Sequence, residues 1–206
     1  MRILTVCTGN ICRSPLAEAL LQEGLNEIHP GAFEVSSAGT RARAGSPAEP
    51  WTRRIAASHG ASLEQFSARA LTAPLIAQAD LILAMAREHR SAVLGAVPAA
   101  FRRTFTVWEF ASALQASARG RALGTPGDTG AASSAQDVFR RAVAAAAERR
   151  AGACRGEDDI ADPFQKGPEA YSRMAEQLVP ALRIILTGLD EFVGPWLRAA
   201  AAGPLA

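Results

Sequence analysis

Within the stretch VCTGNICRSPLAEALL, residues 6–21, a thiol, a guanidinium and two hydroxyls stand close enough in sequence to act on one ligand. Cys7 and Arg13 are six positions apart, with Thr8, Gly9, Asn10, Ile11 and Cys12 between them and Ser14 directly after. A cysteine reacts as its thiolate, and a thiolate is stabilised where backbone N–H groups, a helix N-terminus and a cation converge. The same donors bind phosphate-like anions, and the planar arginine fork grips two oxygens at once. The segment therefore reads as an anion cradle, residues 8–14, with Cys7 as a nucleophile at its floor. Neither Cys12 nor Cys154 has an arginine at the matching offset, so the arrangement occurs once.

Such a cradle needs a strand to deliver Cys7 and a helix to carry Arg13. RILTV, residues 2–6, is nearly continuously apolar, as a strand buried on both faces should be. Ser14 and Pro15 predict a helix start, serine as N-cap and proline at the first helical position. Leu16, Leu20, Leu21, Leu25 and Ile28 then recur at the helical period. Further strands are predicted at 33–36, 80–85 and 104–107, and helices at 50–59, 72–79, 87–95, 108–118 and 168–189. Strands alternating with helices predict an α/β domain with a parallel sheet, whose ligands bind at the carboxyl ends of the strands.

Residues 119–134 break this rhythm with four glycines, a proline and small polar residues. The stretch after them is helix-prone with a thin apolar face. The expected organisation is one domain over 1–190, a flexible or helical insertion at 119–156, and a C-terminal helical tail at 191–206.

With 206 residues the chain can bury a substantial core, and an odd count of three cysteines without a C-x2-C pair points to a reducing compartment. The N-terminal apolar run is too short for a secretion signal and later ones too short for a bilayer span, so a soluble cytoplasmic protein is expected, without membrane insertion. The formal charge is +2, and Lys166 is the one lysine. Arginine pairs such as Arg53–Arg54 and Arg140–Arg141 are scattered over helical patterns rather than gathered in a block, which argues against nucleic acid as a partner.

CTGNICRSPLAE at 7–18, VSSAGT at 35–40 and DPF at 162–164 together resemble the low-molecular-weight protein tyrosine phosphatases. The resemblance covers residues 1–110 and 157–190. It implies a three-layer fold with a four-stranded parallel sheet flanked by helices, a phosphotyrosine-containing protein as substrate, no metal and no cofactor. Cys7 would form a cysteinyl phosphate, and Arg13 with the amides of residues 8–14 would hold the phosphoryl oxygens. Ser14 would support the thiolate, Asn10 would brace the loop against Ser37, and Gly9 would let the backbone curl. In EDDIADPF, residues 157–164, Asp162 is the candidate general acid because Pro163 restrains it to an extended conformation. Asp158 and Asp159 read as plain loop charges.

The chain also departs from the family pattern. Phe66 stands where a histidine often supports the asparagine–serine network, and Ala42, between Arg41 and Arg43, falls where an aromatic commonly walls the cleft. Phe164 and Gln165 replace paired tyrosines, so Phe164 is the remaining apolar wall. Trp51 reads as core; His29, His59 and His89 read as surface or capping residues. Cys12 either packs as a small apolar side chain or captures an oxidised Cys7 as a disulfide. Two other functions fit the same loop: an arsenate reductase, which would want a resolving thiol such as Cys154, and a phosphoprotein-binding module without turnover. Hydrolysis of a simple aryl phosphate separates them.

Overall fold

The first strand, β1 (Arg2–Cys7), is buried at every position after Arg2 and lies inside a four-stranded, all-parallel sheet. In this computed structural model, which describes residues 1–120, 134–149 and 159–201, it pairs with β2 (Glu34–Gly39) on one side and β3 (Leu81–Ala84) on the other. The fourth strand, β4 (Thr104–Thr106), extends the order to β2-β1-β3-β4. The register sets Cys7 beside Gly39 and Val6 beside Ala84. Because the chain leaves β1 for one side and later crosses to the other, the carboxyl end of β1 is the switch point where α/β sheets open a crevice.

Helices cover both faces. Ile3, Leu81, Leu83 and Phe105 point into the larger core, with α1 (Arg13–Ile28), α2 (Pro50–Ser58) and later helices packed over it. Leu4, Val6 and Ile82 point the other way, onto α3 (Ala73–Gln78) and α4 (Arg87–Ala96), through Ile76 and Val93. The alternation along β1 is what divides the two layers of helix. A 3-10 turn, Pro98–Arg103, leads into β4, and α5 (Val107–Gly120) follows it directly.

The stretch expected to be an insertion contributes a helix, α6 (Ala135–Glu148), that belongs to the main core. Val138, Phe139, Ala142, Val143 and Ala146 are buried, and the Phe139 ring meets Phe33 edge-on with centroids 5.6 Å apart. Its apolar face is made mostly of alanine and valine, which is why it reads as thin in the sequence. Residues 121–133 and 150–158 of the expected insertion, Cys154 and Asp158 among them, lie outside the described residues. The last helix, α7 (Gly167–Ala201), continues through Pro180 and Pro195, so residues 191–201 of the expected helical tail are helical and continuous with what precedes them. Among the described residues no helix is long and apolar enough to cross a membrane.

Candidate active site

The loop from Cys7 to Arg13 turns its carbonyl groups outward. Thr8, Gly9 and Ile11 accept hydrogen bonds through their carbonyl oxygens from the backbone N–H groups of Arg41, Arg43 and Glu49, at 2.9, 3.0 and 2.9 Å. The N–H groups of Gly9, Ile11 and Cys12 have no protein acceptor among the described residues. A loop that uses its carbonyls on one side and keeps its amides on the other is an anion nest. The backbone reverses at Asn10, φ 54°, so the left-handed position falls on asparagine and not on the neighbouring Gly9. Glycine is required instead at Gly39, where a Cβ would stand 2.5 Å from the Thr8 carbonyl oxygen.

Helix α1 starts at Arg13, two residues before the Pro15 start read from the sequence, and no side chain caps it. The hydroxyl expected to cap, that of Ser14, lies 2.9 Å from Cys7 Sγ and accepts from Asn10 Nδ2 at 3.0 Å. An uncapped N-terminus leaves the first-turn N–H groups without side-chain partners at the cradle. Asn10 also donates to Ser37 Oγ at 2.7 Å, and its Oδ1 accepts from the Arg69 backbone N–H at 2.8 Å. Ser37 in turn donates to Glu18, whose carboxyl is raised above its ordinary range by burial. The network is thus closed by Arg69 and Glu18 rather than by a histidine at position 66. Asn10 and Ser14 brace the loop from behind, while Cys7, Thr8, Gly9, Ile11, Cys12 and Arg13 line a cavity of about 140 Å³.

Cys7 Sγ accepts the Asn10 backbone N–H at 3.3 Å as well as facing Ser14, whose hydroxyl can donate to it once the sulfur is a thiolate. Arg13 is 4% exposed and held on three sides: Nη1 donates to the Ile160 carbonyl at 3.2 Å, Nη2 to Thr8 Oγ1 at 3.3 Å, and Nη2 pairs with Asp162 Oδ2 at 2.8 Å. Its Nε is buried without a protein acceptor among the described residues. A buried charged donor left unmatched is costly in a finished core and is the expected state of a group that meets an anionic ligand.

Asp162 closes the cavity from the opposite side, 44% exposed, with Oδ1 accepting the Phe164 backbone N–H at 3.2 Å. Phe164 lines the mouth, and the Arg43 guanidinium sits over its ring at 4.9 Å. Ala42 is not a wall residue: its Cβ lies toward Gly39, and the flanking Arg41 and Arg43 line the cavity instead. Asp159 is more than a plain loop charge, because Oδ1 accepts from the Arg87 backbone N–H at 2.8 Å and the carboxylate pairs with the Arg87 guanidinium. It fastens the Asp162 loop to the start of α4. Trp51, expected in the core, is 39% exposed beside the mouth; His29, expected as a surface or capping residue, is buried as the C-cap of α1, and His89, expected likewise, is buried in the first turn of α4. His59 is exposed at the end of α2.

His89 is the functional residue that sequence spacing does not reveal. It is 1% exposed, and Nε2 lies 2.8 Å from Thr8 Oγ1, the oxygen that also receives Arg13. Burial, with the Arg13 charge nearby, pulls its pKa down to about 4. A neutral ring accepts the Thr8 hydroxyl hydrogen and leaves the oxygen lone pairs to Arg13. The unfolded chain, with an ordinary histidine at 6.5, binds its proton first as pH falls. The stability tied to His89 is therefore complete above about 6.5 and is lost on the way down to about 4. Denaturant midpoints are expected to fall across that window in the wild type and to fall less in His89→Gln. His89→Leu is expected to lower kcat about 5-fold, the worth of one hydrogen bond near 1 kcal/mol, with His89→Gln recovering most of it.

Cys12 and Tyr171 form a second buried pair, Sγ 3.6 Å from the phenol oxygen. Burial pushes the Cys12 thiol up to about 12, so it stays protonated at neutral pH.

Against this geometry, the sequence profile of the family described as "Low molecular weight phosphotyrosine protein phosphatase" matches residues 2–140. The chain belongs to that family. The low molecular weight protein-tyrosine-phosphatase Etp of Escherichia coli is 47% identical to it over 96 residues. That alignment takes in 47% of this chain and 62% of Etp. A probable family phosphatase, EpsP of Ralstonia nicotianae, is 41% identical over 107 residues, 52% of this chain and 70% of its own. Among solved structures, the Erwinia amylovora tyrosine phosphatase amsI superposes with a TM-score of 0.61 at 26% identity, covering 89% of each chain. The YwlE arginine phosphatase of Geobacillus stearothermophilus gives 0.65 at 28%, covering 92% of this chain and 93% of its own.

Proposed function

We propose that the chain is a protein tyrosine phosphatase that hydrolyses phosphotyrosine through a phosphocysteine at Cys7. The observation that carries this reading is a thiol at the floor of a loop whose inward amides and buried Arg13 Nε have no other partner among the described residues. The phosphoryl group enters with its three oxygens on the loop amides and the Arg13 fork. The Cys7 thiolate attacks phosphorus in line, a P–S bond forms as the P–O bond breaks, and Asp162 passes its proton to the leaving phenol oxygen. The incoming phosphoryl charge takes over Arg13 and frees Asp162 to face that oxygen. In the second step Asp162 takes a proton from water, the water displaces the thiolate, and the Ser14 hydroxyl supports the departing sulfur. The substrate ring lies beside Phe164, a contact that phosphoserine has no ring to make.

The test is steady-state turnover of a phosphotyrosyl peptide beside phosphoseryl and phosphoarginyl controls. Preference for phosphotyrosine supports the reading, and equal or better use of either control contradicts it. Phosphoarginine is included because one structural relative is named an arginine phosphatase. Arg41 and Arg43 at the mouth oppose its guanidinium, and so favour the aryl ester.

Asp162→Asn is expected to lower kcat about 100-fold for phenols of high pKa and far less for acidic phenols, measured over a series of aryl phosphates. A uniform loss over the series would make Asp162 a structural partner of Arg13. Oxidation gives a second check. After mild peroxide, Cys7 sulfenic acid and the Cys12 thiol are expected to condense to a disulfide with loss of water, and dithiothreitol to restore activity. Because the Cys12 pKa is raised, disulfide formation should quicken as pH rises, and Cys12→Ser should lose the recovery.

A further inference from the structure

A second concavity, about 410 Å³, opens beside the catalytic cavity and shares two of its walls, Arg43 and Phe164. The stacked Arg43–Phe164 pair is the partition between them. On the far side stand Trp51 and Lys166, neither of which lines the catalytic cavity. Trp51 is one of three large apolar side chains exposed among the described residues, and Arg54 stacks on its indole at 4.7 Å. Lys166 is carried by a turn closed by its own N–H on the Pro163 carbonyl at 3.0 Å, with Gln165 held at φ 61°. A non-glycine residue in that conformation is strained, and the strain is spent on fixing Lys166 relative to Asp162 and Phe164.

The charges around this mouth are not balanced. No carboxylate among the described residues pairs with Arg41, Arg43 or Lys166. Among the described residues Glu49 is the one acidic side chain lining either concavity apart from Asp162, which belongs to Arg13. An exposed aromatic next to unpaired cations, continuous with a phosphate cradle, fits an extended peptide that carries negative charge beside its phosphotyrosine. Extended chain advances about 3.3 Å per residue, so a side chain one or two positions from the phosphotyrosine reaches across the partition.

We propose that the Trp51–Lys166 concavity is a substrate subsite that selects phosphotyrosyl segments with an acidic side chain within two residues of the phosphotyrosine. This rests on the phosphatase reading above. The acidic side chain meets Lys166 and Arg43, the peptide backbone lies over Trp51, and a basic flank is repelled.

The experiment measures kcat/KM for phosphotyrosyl peptides that differ only in having Glu, Gln or Lys at the two flanking positions, with 4-nitrophenyl phosphate as the flank-free substrate. Wild type is expected to prefer the Glu over the Lys peptide by about 10-fold at low salt, shrinking as salt screens the mouth. Lys166→Glu should cut that preference to about 3-fold or less, and Trp51→Ala should raise KM for every peptide, while both leave 4-nitrophenyl phosphate within about 2-fold. Equal kcat/KM across the flanks in wild type, with 4-nitrophenyl phosphate still turned over, overturns the subsite alone. So does a loss on 4-nitrophenyl phosphate in either variant as large as the loss on peptides. A wild type that hydrolyses neither 4-nitrophenyl phosphate nor any peptide overturns the phosphatase reading and the subsite with it.

Discussion

Cys7→Ser is expected to lose at least about 1,000-fold in kcat on a phosphotyrosyl peptide while still binding vanadate or phosphate within a few-fold of wild type. The two halves of this result have separate causes. The hydroxyl is a far weaker nucleophile than a thiolate held by Ser14 and the Asn10 amide, so the chemical step fails. The cradle does not depend on sulfur: its outward carbonyls are fixed by the amides of Arg41, Arg43 and Glu49, and Arg13 is fixed by Ile160, Thr8 and Asp162. Equilibrium titration with vanadate, followed by intrinsic fluorescence, reads the binding half. Retained turnover would remove the thiol from the mechanism, and lost binding would mean that sulfur organises the loop.

Arg13→Lys is expected to lower kcat by about 100-fold or more, with a smaller change in KM. A lysine keeps the charge but has one nitrogen where Arg13 uses three. The native side chain reaches the Ile160 carbonyl, Thr8 and Asp162 through its two terminal nitrogens, with Nε left over for a phosphoryl oxygen. An ammonium can satisfy one of these anchors or the substrate, not the whole set. The rise of charge on the equatorial oxygens falls in the transition state, so the loss appears mainly in kcat. Steady-state kinetics on one aryl phosphate, with the fold checked by thermal unfolding, decides the point; near-wild-type kcat in Arg13→Lys would mean that charge alone suffices.

The cradle is legible in the sequence because its parts are contiguous. Cys7, Arg13 and Ser14 fall within eight consecutive residues, and the strand that ends at Cys7 and the helix that begins at Arg13 are set by local pattern, so spacing alone brings the groups together. Asp162 is 149 positions from Arg13, yet Pro163 marks it, since the residue before a proline is held extended. What the sequence hides is contact across elements. His89 lies 81 positions from Thr8 and carries no local signal, because a histidine in the first turn of a helix looks the same whether it faces solvent or a phosphate loop. The same holds for Arg41 and Arg43, whose role as cavity wall follows from amides paired to the Cys7 loop. Ser14 shows how a local rule can be outbid: serine before proline reads as a helix cap, but the hydroxyl turns to Cys7 and the helix starts uncapped. Helix α6 was obscured by composition, since alanine and valine bury less area per residue than leucine while packing just as closely around Phe139.

The most direct test of the account is to trap the covalent intermediate. The Asp162→Asn variant lacks the carboxylate that activates water, so it should accumulate phosphoenzyme from a substrate with an acidic phenol, whose departure needs no proton. Acid quench within the first turnover, digestion and mass spectrometry should then find one phosphoryl group on the peptide that contains Cys7, and none in the same experiment with Cys7→Ser. Release of phenol in a full first turnover with no phosphoryl group on Cys7, or with the group on another residue, would contradict the central claim.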